Sequence, residues 1–300
     1  RLHEDLMYLQ SAAERHELWG ELESAQDRKE NEKAKGVLRR LTQACYVRNT
    51  KPDFTSAFRP YKPVQTMLRN LGGIETGLAV LGLFPSIEDA DNDAARENTR
   101  ELLRLCNVWL AWFISDNLEN QKVAYEHLDF WLDTINDDID SASVVSSIIR
   151  GNAELIRQVP ISIINRLAEE IIKNGTQASY MLVLEAMVFL DDFEGDNNTI
   201  VQGTILKELT RSDRSEKTML LCKDIHGSAY SERIAWMEQS SKALDDLKGH
   251  RSDESVTLHH DLRYCLPKLS YHCRLLEVLS GCAYGRLNVT TIETKLQVRF

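Results

Sequence analysis

Apolar residues along this chain recur at steps of three and four, over windows too long for strands. The clearest window is ARENTRELLRLCNVWLAWFISDN at 95–117, where Leu102, Leu105, Cys106, Trp109, Trp112 and Phe113 share one helical face. LENQKVAYEHLDFWLDTI at 118–135 repeats the spacing through Val123, Leu128, Trp131, Leu132 and Ile135. Helical spacing also marks 1–46, 144–159, 161–174, 177–193, 198–212, 231–247, 257–266 and 268–284. VQTMLRNLGGIETGLAVLGLF at 64–84 reads as two short helices, the first ended by Gly72 and Gly73, since glycine tolerates the left-handed conformation of a C-cap. Pro160 starts a helix that Gly175 terminates, and Gly151 is a candidate break within 144–159. The weakest signal lies at 213–227.

Polar stretches punctuate this pattern. ESAQDRKENEKAKG at 23–36 has no apolar stripe and is either an exposed helical stretch or a mobile link. RNTKPDFTSAFRPYKP at 48–63 holds three of the six prolines and reads as a loop. Further loops are expected at 85–93, 136–143 and 248–255. The sum is about a dozen amphipathic helices and no convincing strand, with helix–turn–helix units recurring every ~40–45 residues. A single such helix loses more in ordering than one buried stripe returns, so its neighbours must complete the burial. The expected fold is therefore all-α, an armadillo/HEAT-like α-solenoid; a compact helical bundle is the alternative. The expected division is 1–62, N-terminal helices and the proline-containing loop, and 63–300, the solenoid.

Composition narrows the classes of function. The 300 residues are 43% hydrophobic and 27% charged, enough for a buried core. Gly (14) and Pro (6) are scarce, which favours long helices. A formal net charge of −10 argues against a general nucleic-acid surface. The longest apolar run, VWLAWFI at 108–114, falls far short of a bilayer span of ~20 residues. The charged opening RLHEDL is no signal peptide, and the chain reads as a piece of a larger protein. Cys45, Cys106, Cys222, Cys265, Cys273 and Cys282 form no CxxC pair, which fits a reducing compartment. The sequons at Asn174, Asn197 and Asn288 carry little weight beside that.

Candidate chemistry is thin. His259, His260, Cys265, His272, Cys273 and Cys282 gather near the C-terminus, but their intervals do not fit a zinc site. Cys273 and Cys282 are read as small apolar fillers, and His272 as bonding a carbonyl of an adjacent helix. Asp89, Asp91 and Asp93 alternate as at the start of an EF-hand loop, yet Ala94 replaces the needed glycine and Arg100 the needed glutamate. DDFEGDNN at 191–198 places its glycine at the wrong offset. No GxSxG, Walker, GxGxxG or HExxH motif is present, so no catalytic, cofactor-binding or metal residue is assigned and no enzyme is expected. Asn107, Asn120, Gln121 and His127 sit within apolar helices, where such side chains satisfy free backbone groups of a neighbouring turn.

LSYHCRLLEVLSGCAYGRLNV at 269–289 resembles a helix and turn in the cytosolic solenoid of inositol trisphosphate receptors. Tyr271 and His272, the leucines Leu275, Leu276 and Leu279, and then Cys282, Gly285 and Arg286 carry the likeness, with Asn288 and Val289 in place if Leu287 is an insertion. RLCNVWLAWFISDNLENQKVAYEHLDFWL is similar to the family's helix, Asn-Gln turn and His-Leu helix through Asn120, Gln121, His127 and Leu128. The likeness runs over roughly 64–295 in the RIH region, which ryanodine receptors share; residues 1–60 match loosely. It implies a non-catalytic module of an intracellular calcium-release channel, on the cytosolic face of an internal calcium-store membrane. Its implied partners are other domains and subunits of a homotetrameric parent. It also implies a relay between the ligand-binding region and the pore; neither the β-trefoil nor the basic cluster of the ligand pocket is found. A free-standing solenoid scaffold is the rival reading.

Overall fold

The computed structural model describes residues 1–14, 25–48, 58–82, 93–135, 139–188, 197–218 and 267–283. The chain forms two compact units, Arg1–Leu155 and Ile156–Phe300. Among the described residues both units are helical, apart from one two-stranded ribbon in the first. The expected helices at 231–247 and 257–266, with His259, His260 and Cys265, lie outside the described residues. So do most of the acidic loop at 85–93, most of the stretch at 191–198, and the positions from Gly285 to Val289.

In the first unit, α1 (Leu2–Glu14) and α2 (Ala25–Ala44) precede strands β1 (Tyr46–Arg48) and β2 (Phe58–Pro60). Then come α3 (Lys62–Asn70), α4 (Gly73–Leu81), α5 (Asp93–Ile114), α6 (Leu118–Tyr125), α7 (Leu128–Asp133) and α8 (Ser141–Ile149). Helix α5 is the hub, packed by α2, α3, α4, α6 and α8. Its buried stripe of Leu102, Leu103, Cys106, Trp109, Leu110, Phe113 and Ile114 explains why. Leu105 and Trp112, expected on that stripe, are only half-buried.

Gly72 adopts φ 80 and ends α3, as its lack of a Cβ allows, whereas Gly73 already belongs to α4. Gly77 has a different role: a Cβ there would stand 2.7 Å from Leu110 Cδ2, so any other residue would force the buried Leu110 side chain or the helix to shift.

Three expectations for this unit change. The loop expected at 48–63 contains half of an antiparallel ribbon, with Tyr46 opposite Pro60, Val47 opposite Arg59 and Arg48 opposite Phe58. Aromatic packing supplies the reason: the Tyr46 ring lies 4.9 Å from both Phe58 and Trp112, and Pro60 sits at a strand end, where a missing N–H is tolerated. The helix expected over 118–135 is broken at Glu126–His127 into α6 and α7. The charged stretch at 23–36 is helical from Ala25, with Asn31, Ala34 and Lys35 buried. Lys35, 1% exposed, donates to Glu101 at 2.5 Å, Asn98 at 3.1 Å and Glu32 at 3.2 Å. These partners offset the cost of burying its charge.

Helix α9 (Ala153–Gln158) follows Gly151, where the backbone turns at φ 69. The second unit holds α10 (Ile161–Asn174), α11 (Ala178–Val188), α12 (Asn197–Leu209), the single turn α13 (Ser215–Thr218) and α14 (Pro267–Ala283). Helix α11 is buried on nearly every side, from Tyr180 to Val188, and packs on α10, α12 and α14. On α14, Tyr271, Leu275, Val278 and Cys282 face inward. Cys273, expected as an apolar filler, is exposed instead, and Leu276 is 54% exposed. The inward steps of four, three and four leave both on the opposite face of that helix.

Candidate functional site

The first unit's conspicuous polar feature is a buried network of carboxamides. An α-helix leaves its last carbonyls without intrahelical donors, and burial makes each unmet one costly. Gln65, fully buried on α3, donates through Nε2 to Trp112 O at 2.7 Å and Ser115 O at 2.9 Å, at the end of α5. Its Oε1 accepts from Asn117 Nδ2 at 3.3 Å. Asn117 caps α6, because its side chain accepts from the backbone N–H of Asn120. Asn120 in turn donates to Phe113 O at 2.7 Å and accepts from Arg69 at 3.1 Å.

One residue further, Gln121 repeats the device on another helix. Its Nε2 donates to Ser147 O and Arg150 O, both at 2.9 Å, at the end of α8. Its Oε1 accepts from Asn152 Nδ2 at 3.1 Å, and Asn152 Oδ1 accepts from the N–H of Leu155 in the first turn of α9. Adjacent residues of α6 thus tie it to α5 on one side and to α8 and α9 on the other. Asn107 bridges similarly: Nδ2 donates to Ile139 O at 2.7 Å, and Oδ1 accepts from Trp131 Nε1 at 3.1 Å. In the second unit Gln202 Nε2 donates to Gly281 O at 2.9 Å and Val188 O at 3.4 Å, near the ends of α14 and α11.

The sequence singled out Asn107, Asn120 and Gln121, and all three take the backbone-satisfying role expected of them. His127 does not: it is exposed in the turn before α7 and makes no side-chain cap. Gln65, Asn117, Asn152 and Gln202 went unread. Gln65 and Gln121 share one legible signal, since each is the fourth residue of a short helix.

Neutral carboxamides neither titrate nor attack, so what this network does is hold helix ends in register. The thiols nearby are inert. Burial pushes Cys45 up to about 12, against the smaller opposing influence of the Trp109 indole N–H. Burial likewise pushes Cys106 up. His272 is half-buried, Tyr271 donates to Thr218 O at 2.6 Å, and burial raises its hydroxyl. Among the described residues, no group of three or more His, Cys, Asp or Glu side chains is placed to hold a metal ion.

Neighbouring helices packed on one another, with side chains closing each other's ends, define the class of all-α repeat domains. Within that class the chain belongs to the RIH-domain family of ryanodine and inositol trisphosphate receptors, whose family model matches residues 11–223. It is also 23% identical over 268 residues to the inositol 1,4,5-trisphosphate receptor itr-1 of Caenorhabditis elegans, covering 87% of this chain and 8% of that protein. The family match begins well before residue 64, so part of the N-terminal region that resembled the family loosely lies within it. The carboxamide network from Gln65 to Asn152 lies wholly inside the match. No helix among the described residues is long and apolar enough to cross a membrane.

Proposed function

We propose that this chain is a non-catalytic regulatory module of an intracellular ligand-gated calcium-release channel. It works on the cytosolic face of the endoplasmic reticulum or another internal calcium store and relays conformational change between the ligand-binding region and the pore. Its partners are other domains and subunits of the parent channel, a homotetramer, and its division into an N-terminal part (1–62) and a helical solenoid (63–300) belongs to the same reading.

The RIH match over residues 11–223 is the observation that carries this reading. The physical support is the satisfied carboxamide network. Helices tied at their ends by paired hydrogen bonds move together, so displacement of α3 or α5 passes to α6, α8 and α9 without being absorbed by local repacking.

The test uses the full-length protein that contains this segment. In microsomes, Gln121→Leu and Asn152→Leu are expected to leave inositol trisphosphate binding intact while calcium release per bound ligand falls severalfold. Unchanged release from correctly assembled variants would overturn the relay. A full-length protein that binds partners yet releases no calcium would overturn the channel reading in favour of a scaffold.

A further inference from the structure

We propose that ribbon β1–β2 and the start of α3 form a docking surface for an extended acidic peptide segment of a partner protein. This does not depend on the channel reading. Three observations meet here. First, Arg48, Arg59 and Lys62 are all exposed, and none has an ion-pair or hydrogen-bonding partner for its side chain among the described residues. Elsewhere in this unit Lys35, Arg39 and Arg40 are each paired with a carboxylate. In a chain of net charge −10, the stretch 46–62 holds Arg48, Lys51, Arg59 and Lys62 against Asp53 alone.

Second, Arg48 borders aromatic surface. Tyr46 meets Phe58 edge-on and Trp112 at a tilt, all three rings are half-exposed, and Tyr61 is 41% exposed. Arg48 stands opposite Phe58 in the ribbon, on the face that carries Tyr46, whereas Arg59, opposite Val47, lies on the other face. Arginine, tyrosine and tryptophan are the side chains that anchor interfaces, because they offer large contact area along with polar groups. Third, no further strand pairs with this ribbon among the described residues, so its backbone edges can take an extended chain by strand addition. A chain paired along an edge sends alternate side chains to the two faces, so carboxylates on one face meet Arg48 beside the rings and those on the other meet Arg59, while Lys62 adds charge just past β2. The overall negative charge disfavours a polyphosphate more than a short peptide, because repulsion grows with the ligand's own charge.

The probe is a fluorescein-tagged decapeptide of repeating Glu-Glu-Val-Val, which sends Glu and Val to both faces, titrated with this chain and read by anisotropy. Saturable binding is expected at 50 mM NaCl, weakening by about fivefold or more at 300 mM as the shorter Debye length screens these exposed charges. Arg48→Glu/Arg59→Glu should weaken it at least about tenfold with circular dichroism unchanged. Lys29→Glu/Arg100→Glu, a reversal at two exposed helix positions at least twelve residues along their helices from Ala44 and Trp112 beside the ribbon, should retain binding. Four results would each overturn the proposal: no saturation, equal binding of the Gln-for-Glu peptide, equal loss in the control variant, or tighter Arg48/Arg59-dependent binding of a single-stranded oligonucleotide or of phosphatidylserine vesicles.

Discussion

Replacing Gln121 by leucine tests the carboxamide network most directly. The side chain keeps nearly the same volume, so packing changes little. Three polar groups lose their partner: Ser147 O, Arg150 O and Asn152 Nδ2. A buried unmet group costs about 1–3 kcal/mol. Ser147 and Arg150 are half-exposed, so water recovers part of their loss; Asn152 is 3% exposed and recovers little. Taking about 1 kcal/mol for each carbonyl and about 2 for the amide, less about 1 for the apolar surface leucine buries, the expected loss is about 3 kcal/mol. Tryptophan fluorescence in urea reads this unit selectively, because Trp19, Trp109, Trp112 and Trp131 fall in it and only Trp236 lies beyond. With a urea slope of about 2 kcal/mol/M, the midpoint should fall by about 1.5 M. Asn152→Ala should fall by a similar amount, and the double variant by clearly less than the sum, since both act on one hydrogen bond. A Gln121→Leu midpoint within about 0.3 M of the parent would refute the idea that these amides hold the helix ends.

Other outcomes follow from burial and close approach. Trp109→Ala should cost about 3–5 kcal/mol in the same urea assay, whereas Leu276→Ala, on an exposed face, should cost under about 1 kcal/mol by helical circular dichroism; equal losses would contradict the described face of α14. Gly77→Ala should lose about 1–2 kcal/mol despite the better helix propensity of alanine, and Leu110→Val should relieve much of it; a neutral Gly77→Ala would mean that α4 and α5 separate freely. Iodoacetamide at pH 8 followed by peptide mass spectrometry should label exposed Cys273 far ahead of Cys45. A thiol near 12 is ionised to roughly one part in ten thousand at that pH, and its labelling should still be rising tenfold per pH unit; comparable rates at the two sites would refute the burial of Cys45.

Helix order was legible because spacing alone encodes it. The stripe through Leu102, Cys106, Trp109 and Phe113 and the stop at Gly72 needed no knowledge of partners. What spacing leaves open is which face wins when a helix has two neighbours or none. Leu276 fits the apolar pattern of its helix, yet it lies opposite the face that meets α11. Lys35 breaks the pattern, yet it is buried because Glu101 and Asn98, over sixty residues away, complete its shell. The ribbon was hidden for a related reason: three prolines in 48–63 argue for a loop locally, while the packing of Tyr46 against Phe58 and Trp112 is a long-range contact.

The carboxamides sit between these cases. A glutamine inside an apolar stripe announces that some backbone group needs it, so Gln121 could be read as structural from sequence alone. Which carbonyls it meets depends on where α8 stops, and that depends on the turn at Gly151. Gln121 therefore measures a junction between three helices, and its two bonds survive only if the ends of α6, α8 and α9 keep their spacing. A shift of one helix by even an ångström would break both bonds at once, which makes the junction resist small displacements up to a threshold. Resistance of that kind favours rigid transfer of motion over gradual deformation, and it ties the predicted stability loss at Gln121 to the predicted loss of calcium release with ligand binding preserved.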